Sequence, residues 1–213
     1  MKSAWPAILR RRLVKIAEMG PAVDRLPATA AWRHLGARAG FEVVFLGRAP
    51  DGHRFQGYST AVEEGEAWSV HYAIAVDPSW ATRSVEITAQ SANGVTEVRL
   101  ERDPTGGWRI DGRPVPQLGD CLDVDLEASA FTNAFPVHRL GLAVGQRADA
   151  PAAYVRAPGL GLERLEQSYA RLEDAREQSR YDYAAPSFGY AAELVYDQFG
   201  LVLDYPGIAV RVA

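Results

Sequence analysis

The 213-residue chain has one cysteine, four histidines and no excess of positive charge. A lone thiol, Cys121, excludes an internal disulfide and a thiol cluster for zinc. His34, His53, His71 and His138 are scattered without ligand spacing, so no metal and no cofactor are expected. Lys plus Arg is 23 against 27 Asp plus Glu, a net charge of −4, which argues against a nucleic-acid partner. No apolar run approaches the ~18 residues of a membrane-spanning helix. A secretory signal is not evident either. The apolar run Ala4 to Leu9 is short, and Arg10, Arg11 and Arg12 follow it instead of preceding it. A cytoplasmic location is therefore expected. G-x-S-x-G, H-E-x-x-H and P-loop patterns are missing, as are internal repeats and low-complexity tracts.

What is present belongs to a folded protein. Hydrophobic residues make up 47%, including five Trp, nine Tyr and seven Phe. Those large aromatics need a core or a binding surface. The first residues stand apart in charge. Within 1–27, Lys2, Arg10, Arg11, Arg12, Lys15 and Arg25 oppose Glu18 and Asp24, so this stretch carries +4 and the rest −8. Trp5, Leu9, Leu13 and Ile16 follow helical spacing, with Ser3 placed to cap and Gly20-Pro21 to stop. We expect an N-terminal amphipathic helical extension over 1–27 and one domain over 28–213. Its basic face fits peripheral contact of residues 1–20 with an anionic membrane surface, or packing on the body.

From Trp32 onward, alternation with period two dominates. Trp68, Val70, Tyr72, Ile74 and Val76 share one strand face. Val85 with Ile87, and Val98 with Leu100, repeat the pattern. Asn93-Gly94 sits between two such runs as a hairpin signal. Further strands are expected near Phe41–Gly47, Arg54–Val62, Ala152–Arg156, Tyr181–Ala184, Tyr190–Tyr196 and Leu201–Tyr205. Antiparallel strands with one packed and one wetter face imply a mainly β fold, as a sandwich, roll or barrel. Residues 160–178 are ambiguous: their composition favours a helix, the surrounding strands favour a strand.

The most unusual stretch runs from Gly119 to Leu140. In a strand, Leu122, Val124 and Leu126 face one way, and Cys121, Asp123 and Asp125 the other. Asp123 and Asp125 are candidates for an acid/base pair, or for structural pairing with backbone or arginine. Ser129–Asn133 reads as a turn, with Pro136 keeping the chain extended after it.

These residues carry a resemblance. Asp120, Cys121, Asp123 and Asp125, then Thr132, Asn133 and Pro136, and later Asp204, Tyr205, Pro206 and Gly207, resemble the bacterial putative glycolipid-binding family. Trp32, Trp80 with Thr82-Arg83, and Tyr169 before Tyr181-Asp182-Tyr183 also look like it. The likeness spans about residues 30–213. Ser168, where threonine is expected, and residues 145–153 depart from it. The resemblance implies a single antiparallel, strongly curved sheet, a β-roll or half-barrel similar to the periplasmic lipoprotein carriers. It also implies an apolar concavity for a lipid or glycolipid.

Trp68, Tyr72, Trp80, Tyr169, Tyr181 and Tyr183 are the candidate lining residues, since aromatic faces stack on sugars and acyl chains and tyrosines add polar anchors. The expected function is non-catalytic binding of that ligand by a monomer or homodimer. Two alternatives stand beside it. One is a hydrolase of a glycolipid or sugar conjugate using Asp123 and Asp125. The other is an interaction protein with an aromatic interface.

Overall fold

The computed structural model describes residues 26–103 and 105–213. The amphipathic segment and the boundary expected near residue 27 lie outside or at the edge of that range. The elements, in chain order, are β1 (Thr29–His34), β2 (Arg38–Ala49), β3 (Gly52–Glu63), β4 (Glu66–Val76), β5 (Thr82–Ser91), β6 (Gly94–Arg102), β7 (Trp108–Ile110) and β8 (Arg113–Pro114). After these come β9 (Asp123–Leu126), α1 (Ala134–Leu140), β10 (Arg147–Asp149), β11 (Ala152–Val155), β12 (Leu162–Leu165) and β13 (Ser168–Arg171). The chain closes with β14 (Ser179–Ala185), β15 (Tyr190–Tyr196), β16 (Val202–Tyr205) and β17 (Ala209–Arg211).

Fourteen strands form one antiparallel sheet in the order β10-β13-β14-β15-β16-β17-β1-β2-β3-β4-β5-β6-β7-β8. Its ends, β10 and β8, do not pair, so it does not close into a barrel. Two meanders, one from each half of the chain, join where β1 pairs with β17. The expected hairpin is present: Ser91 pairs with Gly94, and Gly94 takes the positive φ that the turn requires.

The sheet has to curve. Tyr169 on β13 bonds Asn133, and Phe55 on β3 stacks on Phe135 with ring centroids 5.6 Å apart. In a flat sheet those strands would sit seven places apart, roughly 34 Å at the usual inter-strand spacing. Residues 133 and 135 are close chain neighbours, so only a sheet wrapped around them makes both contacts. Trp32 on β1 against Phe131, and the Trp108 indole donating to the Cys121 carbonyl at 2.9 Å, tie further strands to the same segment.

The concave side is therefore occupied. A small second sheet, in the order β12-β11-β9, lies there with α1 and a 3-10 turn at Phe131–Asn133. Its β9–β11 pairing is parallel, which sequence alternation did not lead us to expect. All four residues of β9 are buried.

One ambiguity is resolved and one expectation changes. Residues 160–178 form β12 and β13 and no helix, because Leu165 and Tyr169 reach the interior only as strand residues paired to β11 and β14. Pro136 is not in extended chain but in the first turn of α1, where a helix has no acceptor for an N–H and proline costs little. Trp68, Val70, Tyr72, Ile74 and Val76 are all buried, as their alternation implies. The convex face of β2 and β3 is less polar than expected: Phe41, Val43, Phe45, Tyr58 and Val62 are exposed there. Among the described residues, no helix is long and apolar enough to cross a membrane.

Candidate functional site

Antiparallel strands bring several turns to one end of the curved sheet. The β1–β2 turn supplies Leu35 and Ala37, and the β16–β17 turn supplies Gly207 and Ile208. Phe188 comes from the β14–β15 turn, and Arg38 and Glu63 from the adjoining strand ends. Beneath them, β9 and the residues after it present Asp125, Glu127 and Asn133. Tyr154, Tyr183, Tyr190 and Tyr205 complete the walls of a cavity of about 300 Å3. That size is at the small end of the roughly 300–1,000 Å3 typical of small-molecule pockets.

The carboxylates of this region follow the two-residue period of the strand, and each has its own partner. Asp123 takes a two-pronged bond from Arg139 on α1, at 2.9 and 2.6 Å. Burial pushes its carboxyl up, and the Arg139 fork opposes the shift. Asp125 accepts the Thr132 hydroxyl at 2.9 Å. Its carboxyl is pushed up to about 6 by burial, against the Thr132 bond and with help from the Asp123 and Glu127 charges. Glu127 accepts from Arg38 and from the Ala157 amide, each at 2.8 Å. Arg38 also donates to Glu63 at 2.9 Å, and its guanidinium lies over the Trp68 ring at 5.5 Å.

A fifth carboxylate supports the site from below. Glu42 on β2 is fully buried and accepts from the Tyr72 hydroxyl at 2.5 Å, the Ser129 hydroxyl, and the Ala130 and Phe131 amides at 2.8 and 3.3 Å. It anchors the turn that carries Thr132 and Asn133. Its carboxyl is raised by burial despite those bonds. The Tyr72 ring lies across Gly57 on β3: a Cβ there would come within 1.9 Å of it.

The expected lining residues separate. Tyr183 faces the cavity and donates to Gln167 at 2.9 Å. Trp68 lies behind Arg38, and Tyr72 is bound to Glu42. Tyr169 is fully buried and donates to the Asn133 side chain at 2.9 Å, while Tyr181 packs edge-on against it. Trp80 sits in the β4–β5 turn at the opposite end, stacked on His138 with centroids 3.7 Å apart. Asp125 lines the cavity and Asp123 does not.

Of the other motif residues, Tyr205 and Gly207 line the cavity, and the Pro206 carbonyl accepts from Tyr190 at 2.7 Å. Asp204 is exposed on β16. Thr132 and Asn133 bond across the interior more than to their own turn. Pro136 packs in α1, Asp120 pairs with Arg164, and burial pushes the Cys121 thiol up to about 12.

Sequence reading missed Arg38, Glu63, Glu127, Tyr154, Phe188 and Tyr190. Glu127 had a signal, since it continues the same-face series Asp123, Asp125 by one more step. The others come from two strand ends, two further strands and the β14–β15 turn, and no local pattern links them. Among the described residues, no group of three or more His, Cys, Asp or Glu is placed to hold a metal. The site offers acceptor-rich carboxylates beside aromatic walls, which suits a hydroxylated ligand with an apolar part.

No curated protein matches this chain. The crystal structure of a DUF1089 family protein from Pseudomonas aeruginosa is similar, with 32% identity over 95% of this chain and 100% of that one, at a TM-score of 0.67. A family model described as "Putative glycolipid-binding" matches residues 29–211. With nearly all of its described residues inside that match, the chain belongs to the putative glycolipid-binding family.

Proposed function

We propose that the protein binds a lipid or glycolipid without transforming it, and that part of the ligand lies in the cavity at the turn end of the sheet. The observation that carries this is the cavity itself: about 300 Å3, walled by Tyr154, Tyr183, Tyr190, Tyr205 and Phe188, and open at the rim. The sheet acts as a β-roll around an inner segment, so the ligand space is what that segment leaves free and not the whole concavity. The family's description points to the same ligand class. Residues 1–20 serve in this reading as a basic arm for an anionic membrane surface.

Native mass spectrometry of the purified full chain tests the binding. A co-purifying lipid or glycolipid that is lost in Ala37→Trp, a substitution at the exposed cavity rim, supports it. A protein that stays ligand-free when titrated with such molecules refutes it. Deleting residues 1–27 tests the arm: unchanged liposome association removes it. A hydrolase reading has less behind it, because Asp123 is engaged by Arg139 outside the cavity and only Asp125 of that pair faces the ligand space.

A further inference from the structure

We propose that the cavity holds the head of the ligand and selects it by charge, admitting a hydroxyl-rich sugar that is neutral or amine-bearing and turning away anionic heads. This rests on the binding function proposed above.

The lining is acidic. Among the described residues, Glu63, Asp125 and Glu127 of the lining face one cation, Arg38. That guanidinium is already committed on every side. Nε donates to Glu63 at 2.9 Å, one terminal nitrogen to the Glu127 carboxylate at 2.8 Å, and the other to the Glu127 carbonyl at 2.5 Å. It has no fork left for a phosphate or carboxylate. Arg156 stands over Tyr154 and Phe188 outside the lining, and it is bound to Glu163 at 2.6 Å. An anionic head would thus meet three carboxylates against one committed guanidinium in a sheltered site, where like charges repel strongly.

The same carboxylates specify what enters. An ionised carboxylate only accepts hydrogen bonds, so the ligand has to donate them. Sugar hydroxyls and ammonium groups donate. Ester, phosphate and carboxylate oxygens do not. The rings of Tyr154, Phe188 and Tyr190 offer flat apolar surface for the carbon face of a sugar. The volume adds a further restriction. At about 300 Å3 the cavity suits a head group, and a long acyl chain has to run out past the rim.

The test uses the full chain and three probes with the same chain length, each below its micelle concentration: octyl glucoside, octyl 2-amino-2-deoxyglucoside and octyl phosphate. Binding is read from amide NMR shifts of the lining residues and from calorimetry. Both glycosides are expected to bind and shift Asp125, Tyr183 and Gly207, with octyl phosphate at least tenfold weaker. Ala37→Trp and Phe188→Ala, both on exposed turns, are expected to weaken glycoside binding at least fivefold.

If octyl phosphate binds at the cavity as tightly as the glycosides, the charge selection is overturned and the binding function stands. If none of the three binds, the binding function itself falls. Glycoside binding that shifts other residues and ignores both variants overturns the assignment of this cavity.

Discussion

Asp125→Asn should make the protein more stable at neutral pH and above, and not in acid. In the folded protein the Asp125 carboxyl is raised from 3.8 to about 6, chiefly by burial. A group raised on folding binds its proton more tightly in the native state. Its contribution to stability is complete below about pH 4 and is lost as the pH rises through about 6. Each tenfold change in proton affinity is about 1.4 kcal/mol, so the ionised carboxylate costs about 3 kcal/mol at pH 7.5 relative to its protonated form. Asparagine keeps the carbonyl that accepts the Thr132 hydroxyl and never ionises.

Urea denaturation of both proteins from pH 4 to pH 8 measures the difference. The two curves should nearly coincide at pH 4 and separate to about 3 kcal/mol by pH 7.5, with melting temperatures about 6–12 °C apart. Glu42 and Asp123 are common to both proteins, so their direct titration cancels. Curves that stay parallel across the range would refute the burial argument. A stabilised but weaker-binding Asp125→Asn would also identify the carboxylate as held charged for the ligand at the expense of the fold.

Three other perturbations probe the frame around the cavity. Gly57→Ala places a methyl against the Tyr72 ring and dislodges its hydroxyl from Glu42, so chemical denaturation should show a loss of about 3 kcal/mol or more. Arg139→Ala strands Asp123 in the interior and should cost about 3–5 kcal/mol at pH 7, with much of the loss recovered by adding Asp123→Asn. The Cys121 thiol, pushed up to about 12 by burial, should resist a thiol reagent at pH 8 in the native protein and react fully in guanidinium.

The strands were legible because alternation is a local signal. Trp68 to Val76 names its inner face without help from the rest of the chain. The phase of β2 shows where that signal misleads. In FEVVFLG the large apolar residues Phe41, Val43 and Phe45 are in register, and alternation alone would turn them inward. The structure turns them out and buries Glu42 with Val44. Hydrophobicity does not decide this. The Glu42 carboxylate satisfies four donors that converge on the inner segment from Tyr72, Ser129, Ala130 and Phe131, up to 89 residues away along the chain. A buried carboxyl group with four hydrogen-bond partners holds its place, whereas three half-exposed apolar side chains forfeit only part of their transfer energy.

The cavity was hidden for the same reason. Ala37, Glu63, Phe188 and Gly207 meet over Asp125 of the inner sheet only because antiparallel strands return their ends and turns to one end of a curved sheet. No spacing in the chain encodes that meeting. The one local trace was the same-face series Asp123, Asp125, Glu127, and the structure divides it by partner: Arg139 holds the first, the cavity receives the second, and Arg38 fixes the third. Period two thus told which side of β9 the carboxylates share, while the elements packed against that side determined what each carboxylate does.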